Sequence, residues 1–205
     1  MTLAENPRLR QFFLSALYLA QGVPTGFVAI ALAAFLAQQG ASVAEIAALL
    51  AVTWLPWGCK VLYGPVLDRY AGSAMGRRRP WMLVAQGGMA LTLCAMLATP
   101  GLDETLWLLA AMMFVHNLFG ALLDVATDAA AVDLLGVQER GRANGLMWTG
   151  KLAGLALGGA GLGTVLAYAG LRPALALMLA FLVLTMTLPL LVRERPGDRR
   201  LARLA

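Results

Sequence analysis

Six runs of mostly apolar residues, at 12–37, 43–63, 81–99, 106–131, 145–168 and 173–192, leave a lipid bilayer as the natural solvent for this chain. A helix rises about 1.5 Å per residue, so about 20 residues cross roughly 30 Å of hydrocarbon. Each run has about that length or more. None shows the period-2 alternation of a barrel strand. The pattern predicts an all-α, polytopic membrane protein: one six-helix bundle over 1–192, then a basic tail at 193–205. Composition agrees, with 60% hydrophobic and only 13% charged residues, against roughly 25% charged in a soluble domain. That balance excludes a disordered chain, a nucleic-acid-binding domain and an ordinary soluble enzyme. The net charge of +5 therefore reads first as membrane topology, with no nucleic-acid partner.

The basic residues divide unevenly between the links. The links 38–42, 100–105 and 170–172 hold only Arg172. The other side holds Arg8, Arg10, Arg69, Arg77, Arg78, Arg79, Arg140, Arg142, Arg193, Arg195, Arg199, Arg200 and Arg203. The positive-inside rule then places both termini in the cytoplasm of a multi-pass inner-membrane protein. For the tail, orientation alone and contact with lipid headgroups are both open readings. The first run is too long for the apolar core of a cleaved signal peptide, and Gln21-Gly22-Val23-Pro24 interrupts it. Cys59 and Cys94 fall within runs, so no disulfide framework is expected.

Ionisable groups inside apolar helices are costly unless paired or wet, so they point to function. Lys60 lies in the second run, Lys151 in the fifth, and Asp124 and Asp128 in the fourth. Two lysines thus balance two aspartates. His116, Gly120, Asp124 and Asp128 recur at i+4 along one helical stripe, with Asn117 beside it. Such a stripe should face the protein interior or a water-filled cavity. Interhelical pairing alone is one reading. A path for a solute or proton is the other, because a carboxylate near a lysine can exchange a proton as its surroundings change. His116 by itself reads more simply as an interhelical hydrogen-bonding residue.

Gln21-Gly22-Val23-Pro24-Thr25-Gly26 sits near the middle of the first run. Proline removes a backbone hydrogen bond there. A broken helix lining a transport site and a packing kink are both compatible with it. Gly150, Gly154 and Gly158 repeat at i+4 in the fifth run and make a smooth face for close helix approach. No phosphate-cradling loop, nucleophilic triad or metal spacing occurs, so neither an enzyme nor a cofactor or metal site is expected.

Gly64-Pro65-Val66-Leu67-Asp68-Arg69-Tyr70, followed by Gly76-Arg77-Arg78-Arg79-Pro80-Trp81, resembles the signature loop of the major facilitator superfamily. The gap between the two parts is longer than in the common form. Together with Trp54-Leu55-Pro56-Trp57-Gly58-Cys59-Lys60, it resembles the AmpG-like muropeptide permeases and related acetyl-coenzyme A transporters. Leu19-Ala20-Gln21-Gly22-Val23-Pro24, the Asp124, Asp128 and Asp133 positions, Glu139-Arg140-Gly141 and Asn144-Gly145 fit the same pattern. The resemblance implies a permease that rocks two six-helix bundles about a central site. It makes the Gly64, Asp68, Arg69, Gly76, Arg77, Arg78 and Arg79 segment a cytoplasmic gate.

This sequence departs from that pattern in size: family members carry twelve or more spans, and six are present here. The fourth run also lacks the arginine that many proton-coupled relatives have there. The resulting expectation is one half of a secondary active transporter, a symporter for a polar, anionic solute. Lys60, Lys151, Gln21, Thr25, His116 and Asn117 would bind the solute, and Asp124 and Asp128 would couple a proton. A separate second half or a second copy would complete the cavity. The competing expectation is a non-transporting scaffold or assembly subunit of a larger membrane complex.

Overall fold

The computed structural model describes residues 2–102 and 105–199, so Arg200 and Arg203 of the expected tail lie outside the described residues. Among the described residues, six helices are long and apolar enough to cross a membrane. They are α1 Pro7–Gln38, α2 Val43–Arg69, α3 Arg79–Ala98, α4 Leu106–Leu134, α5 Val137–Ala169 and α6 Leu171–Leu191. The helix starts follow local chemistry. Asn6 accepts the Leu9 N–H at 3.0 Å, with Pro7 in the first turn, where its missing N–H is harmless. Ser42 and Glu45 cap one another reciprocally at the start of α2.

Several helices outrun the apolar stretches that announce them, α1 by starting at Pro7. α2 tightens into a 3-10 turn at Lys60–Leu62 and resumes as Tyr63–Arg69. Pro65 falls in the first turn of that resumed segment, so Gly64-Pro65 does not end the helix. α4 continues to Leu134, carrying Asp133 with it, and α5 begins before its apolar part. Around Gln21–Gly26 the backbone stays helical: an α-helical segment runs Pro7–Gly26 through Pro24, and a π-turn follows at Phe27–Leu32. α5 carries its own π-turn at Leu157–Gly161.

α1 packs on α4, α5 and α6; α4 packs on α2 and α3; α6 closes against α3 and α5. The most apolar windows of α1 and α4 are 56% and 50% buried, against 17% and 22% for α2 and α5. α1 and α4 are therefore central, and α2 and α5 leave most of their surface uncovered. Phe13, Leu17 and Phe27 from α1 meet Met82, Met89 and Leu93 from α3 and Met113 and Leu123 from α4 in the core.

The α1–α5 seam brings backbone against backbone. A Cβ at Gly22 would lie 2.2 Å from the Lys151 carbonyl oxygen, and one at Gly158 would lie 1.9 Å from that of Val23. Only glycine permits this approach.

On the face that carries both described ends of the chain, Leu3 N–H donates to the Arg193 carbonyl at 2.9 Å, and Ala4 N–H to that of Glu194 at 2.9 Å. The Glu194 carboxylate turns inward over the start of α3. It accepts the N–H groups of Arg77 and Arg78 at 2.8 Å each, and that of Arg79 as well. An anion at a helix N-terminus satisfies orphan donors and meets the positive end of the helix dipole. Gly76 makes the approach possible, with φ +112° and a Cβ position 2.9 Å from Glu194 Cδ.

Candidate functional site: a lysine–aspartate cluster between four helices

α4 sets the register. Asp124 and Asp128 stand one turn apart on one side of it. Lys60 reaches Asp124 from the 3-10 turn of α2, and Lys151 reaches it from α5. The Lys60 ammonium donates to Asp124 Oδ2, and Lys151 Nζ donates to Oδ1 at 3.1 Å. One carboxylate thus bridges two cations that come from opposite sides. The next carboxylate, Asp128, accepts a hydrogen bond from the Tyr18 hydroxyl of α1.

Aromatic faces wall the two ammonium groups. Lys60 Nζ lies 4.2 Å from the Trp57 ring centroid. Lys151 Nζ lies 5.1 Å from Trp57, 5.3 Å from Tyr18 and 5.7 Å from Trp148. Ring faces attract cations electrostatically, most strongly where water is scarce. They hold the ammonium groups in place without consuming their N–H donors. The Trp57 indole N–H is buried and makes no hydrogen bond among the described residues.

Exposure is graded across the cluster. The Asp124 side chain is 4% exposed, that of Lys151 15% and that of Lys60 32%. Asp128 and Trp148 are exposed. The cluster therefore has a closed back on α4 and an open front between α2 and α5. Taking both lysines from water is costly, and the shared carboxylate offsets that cost only while it stays in place. An anion entering from the front finds two cations and a free indole N–H, with Asp124 as the group it must displace or share.

The other residues singled out in the sequence lie elsewhere or have partners already. Gln21 Nε2 sits 3.4 Å from Thr127 Oγ1, while its buried Oε1 makes no hydrogen bond among the described residues. Thr25 donates to the Gln21 carbonyl of its own helix at 2.8 Å. Asn117 donates to the Thr53 carbonyl at 2.8 Å, which ties α4 to α2.

His116 lies two turns from Asp124, about 12 Å along the helix axis, and pairs with α3. Its Nδ1 is 2.9 Å from Thr92 Oγ1, whose proton already goes to the Met89 carbonyl. The hydroxyl can then only accept, so Nδ1 carries the ring proton. The structure does not bring His116 or Asn117 into the lysine–aspartate cluster. It adds Tyr18, Trp57 and Trp148, which sequence reasoning missed because aromatics in an apolar run look like packing. The i+3 spacing of Trp57 to Lys60 and of Trp148 to Lys151 was the signal available for two of them.

The second group of expected residues forms a separate network on the face that carries the chain ends. Arg78 donates to Asp68 and Asp133 at 2.8 Å each. Arg77 donates to Asp68 at 3.2 Å and lies 3.6 Å from Asp133. Burial works against the Arg78 charge, but the hydrogen bonds to Asp133 and Asp68 outweigh it, and the guanidinium is held above its ordinary range. Arg79 is fully buried; it donates to the carbonyls of Met75 and Pro189 at 2.8 Å and of Leu190 at 3.2 Å. It thereby satisfies the last carbonyls of α6. Arg69 is exposed in the last turn of α2, while Gly64 sits just inside the resumed segment.

A six-helix bundle with charged groups converging beneath an open face defines a multi-pass membrane protein of transporter type. The chain belongs to the Major Facilitator Superfamily, whose family profile matches residues 14–204. An uncharacterized protein of Haemophilus influenzae is 32% identical over 139 residues, which is 67% of this chain and 32% of that protein. The anhydromuropeptide permease of Escherichia coli is 33% identical over 101 residues, 49% of this chain and 20% of the permease. An uncharacterized membrane protein of Saccharomyces cerevisiae is 30% identical over 87 residues, 42% of this chain and 15% of its own length. The matched stretches span a third or less of these relatives. Family and named relative point to transport rather than to enzymatic chemistry.

Proposed function

We propose that this chain supplies one six-helix half of a secondary active transporter for a polar, anionic solute, driven by protons. The observation that carries the reading is the Asp124 carboxylate bridged by Lys60 and Lys151 at the back of an open, aromatic-walled recess. A solute carboxylate or phosphate replaces Asp124 on one or both lysines. Released, Asp124 stands one turn from Asp128, and these two carboxylates are the groups that would carry the coupled proton. Protonation and solute binding are then linked through the same two lysines. The named relative is an anhydromuropeptide permease, and a solute of that kind is a candidate here.

The uncovered surfaces of α2 and α5 support a second six-helix half across the recess, as a further part of the assembly or as a second copy. Transport by this family rocks two such halves about a central site. In that cycle the Asp68, Arg77, Arg78 and Asp133 network acts as a latch, and the face it occupies is cytoplasmic in an inner membrane. The test is uptake into cells that express the chain with a second half. Uptake is expected to need an inward proton gradient, and Asp128→Asn is expected to abolish it without loss of membrane insertion. Unchanged uptake by Asp128→Asn removes the proton role.

A further inference from the structure

The parallel starts of α1 and α5 enclose a cleft of about 550 Å³ lined by Asn6, Arg8, Gln11, Gln138, Glu139 and Arg142. It is separate from the lysine–aspartate recess. Its one carboxylate is already neutralised: Arg10 donates to Glu139 Oε2 at 2.6 Å from the buried side. Arg8 and Arg142 are exposed and make no ion pair among the described residues. Two positive charges are left facing the cleft. Asn6 spends its carbonyl oxygen on the Leu9 N–H, so its amide N–H groups remain as donors, and Gln11 and Gln138 add more. The cleft is therefore built for an anion.

What lies beneath the arginines selects the kind of anion. Residues four apart share a helix face, and both helices run inward from this end of the bundle. One turn deeper than Arg8 is Phe12, which is 62% exposed; one turn deeper than Arg142 is Leu146, which is 40% exposed. Cationic donors above and uncovered apolar side chains below match a molecule with an anionic head and hydrocarbon chains. Basic clefts between transmembrane helices recognise anionic headgroups in this way. A free inorganic anion would have no use for Phe12 and Leu146.

We infer that this cleft is a binding site for one anionic phospholipid, its phosphodiester held by Arg8 and Arg142 and its chains laid along Phe12 and Leu146. The lipid would fasten the terminal ends of α1 and α5 at the point where their glycine seam begins. This inference stands independently of the solute reading above.

The full chain, purified in mild detergent, is mixed with equal amounts of phosphatidylglycerol and phosphatidylcholine, and retained lipids are counted by native mass spectrometry. One phosphatidylglycerol is expected to be retained in preference to phosphatidylcholine, and millimolar inorganic phosphate is expected to leave it bound. The double variant Arg8→Gln/Arg142→Gln should weaken retention by roughly 30-fold, from the attraction each arginine adds toward an anionic headgroup. Lysines at both positions keep the charge and should keep the lipid. Arg172→Gln, which removes an exposed arginine from the opposite face, should change nothing. The proposal is overturned if the glutamine pair retains the lipid like the unaltered chain. It is equally overturned if phosphatidylcholine is held as well, or if inorganic phosphate displaces the lipid.

Discussion

Replacing Gly154 by alanine tests the seam on which the bundle is built. A Cβ at position 154 would lie 2.2 Å from the Leu19 carbonyl oxygen, 2.9 Å from Gly22 Cα and 3.0 Å from Val23 N. Ordinary contact begins at 3.4 Å, so α1 and α5 must part by about 1.2 Å, the difference between 3.4 and 2.2 Å. Nothing nearby can rotate away, because all three obstructing atoms are backbone. Overpacking of this kind costs about 1–3 kcal/mol, and a rigid obstruction belongs at the upper end. The gain in helix propensity on replacing glycine, about 1 kcal/mol, offsets part of it. A net loss of about 2 kcal/mol corresponds to a melting temperature lower by roughly 4–8 °C for a chain of this size.

Gly145→Ala is the matched control. It lies in the same helix, and a Cβ there meets nothing within 4 Å. It should be neutral or slightly stabilising. Thermal unfolding of the purified chain in mild detergent, followed by tryptophan fluorescence, separates the two. If both substitutions shift the transition alike, the helices are not in backbone contact and the packing argument is wrong.

Glu194→Ala leaves the N–H groups of Arg77, Arg78 and Arg79 without their acceptor and should lower stability by about 1–2 kcal/mol, as for other lost caps. Faster proteolytic cleavage between residues 70 and 78 would register it. Asp124→Asn strands Lys60 and Lys151. Breaking a fully buried pair costs about 3–5 kcal/mol, and the partial exposure of Lys60 brings the expected loss down to about 2. Adding Lys151→Met to Asp124→Asn should recover part of the loss; a thermal-unfolding double-mutant cycle that shows strict additivity would contradict the shared-carboxylate geometry.

The long apolar runs announced the helices because span length is set by the bilayer and needs no tertiary information. Charge arithmetic pointed to Lys60, Lys151, Asp124 and Asp128 as a set, since unpaired ions in apolar helices are too costly to leave apart. What stayed hidden required three dimensions. Tyr18 joins Asp128 across 110 positions of sequence, and nothing local marks it out from the other aromatics of α1. Glu194 follows the last helix and looks like part of a solvated tail, yet it caps α3 from 117 positions away at Arg77. The second apolar run ends at residue 63, but the 3-10 turn at Lys60–Leu62 resets the helix so that Pro65 falls in a first turn and the helix continues to Arg69. His116 shares a stripe with the aspartates but is drawn off by Thr92 of α3, a partner the stripe alone does not reveal.

Whether the open front of the recess meets water or lipid is the point on which the transport reading rests. In a chain with Cys59→Ser and Cys94→Ser, a cysteine is placed at Trp148, beside Lys151, and in a second version at Leu184, exposed on α6. Membrane vesicles are treated with a charged methanethiosulfonate reagent, which reacts only with wet, ionised thiols. Position 148 should label rapidly and position 184 should not. Equal resistance at both positions would mean that the lysine–aspartate cluster faces hydrocarbon, as a structural clamp rather than a passage.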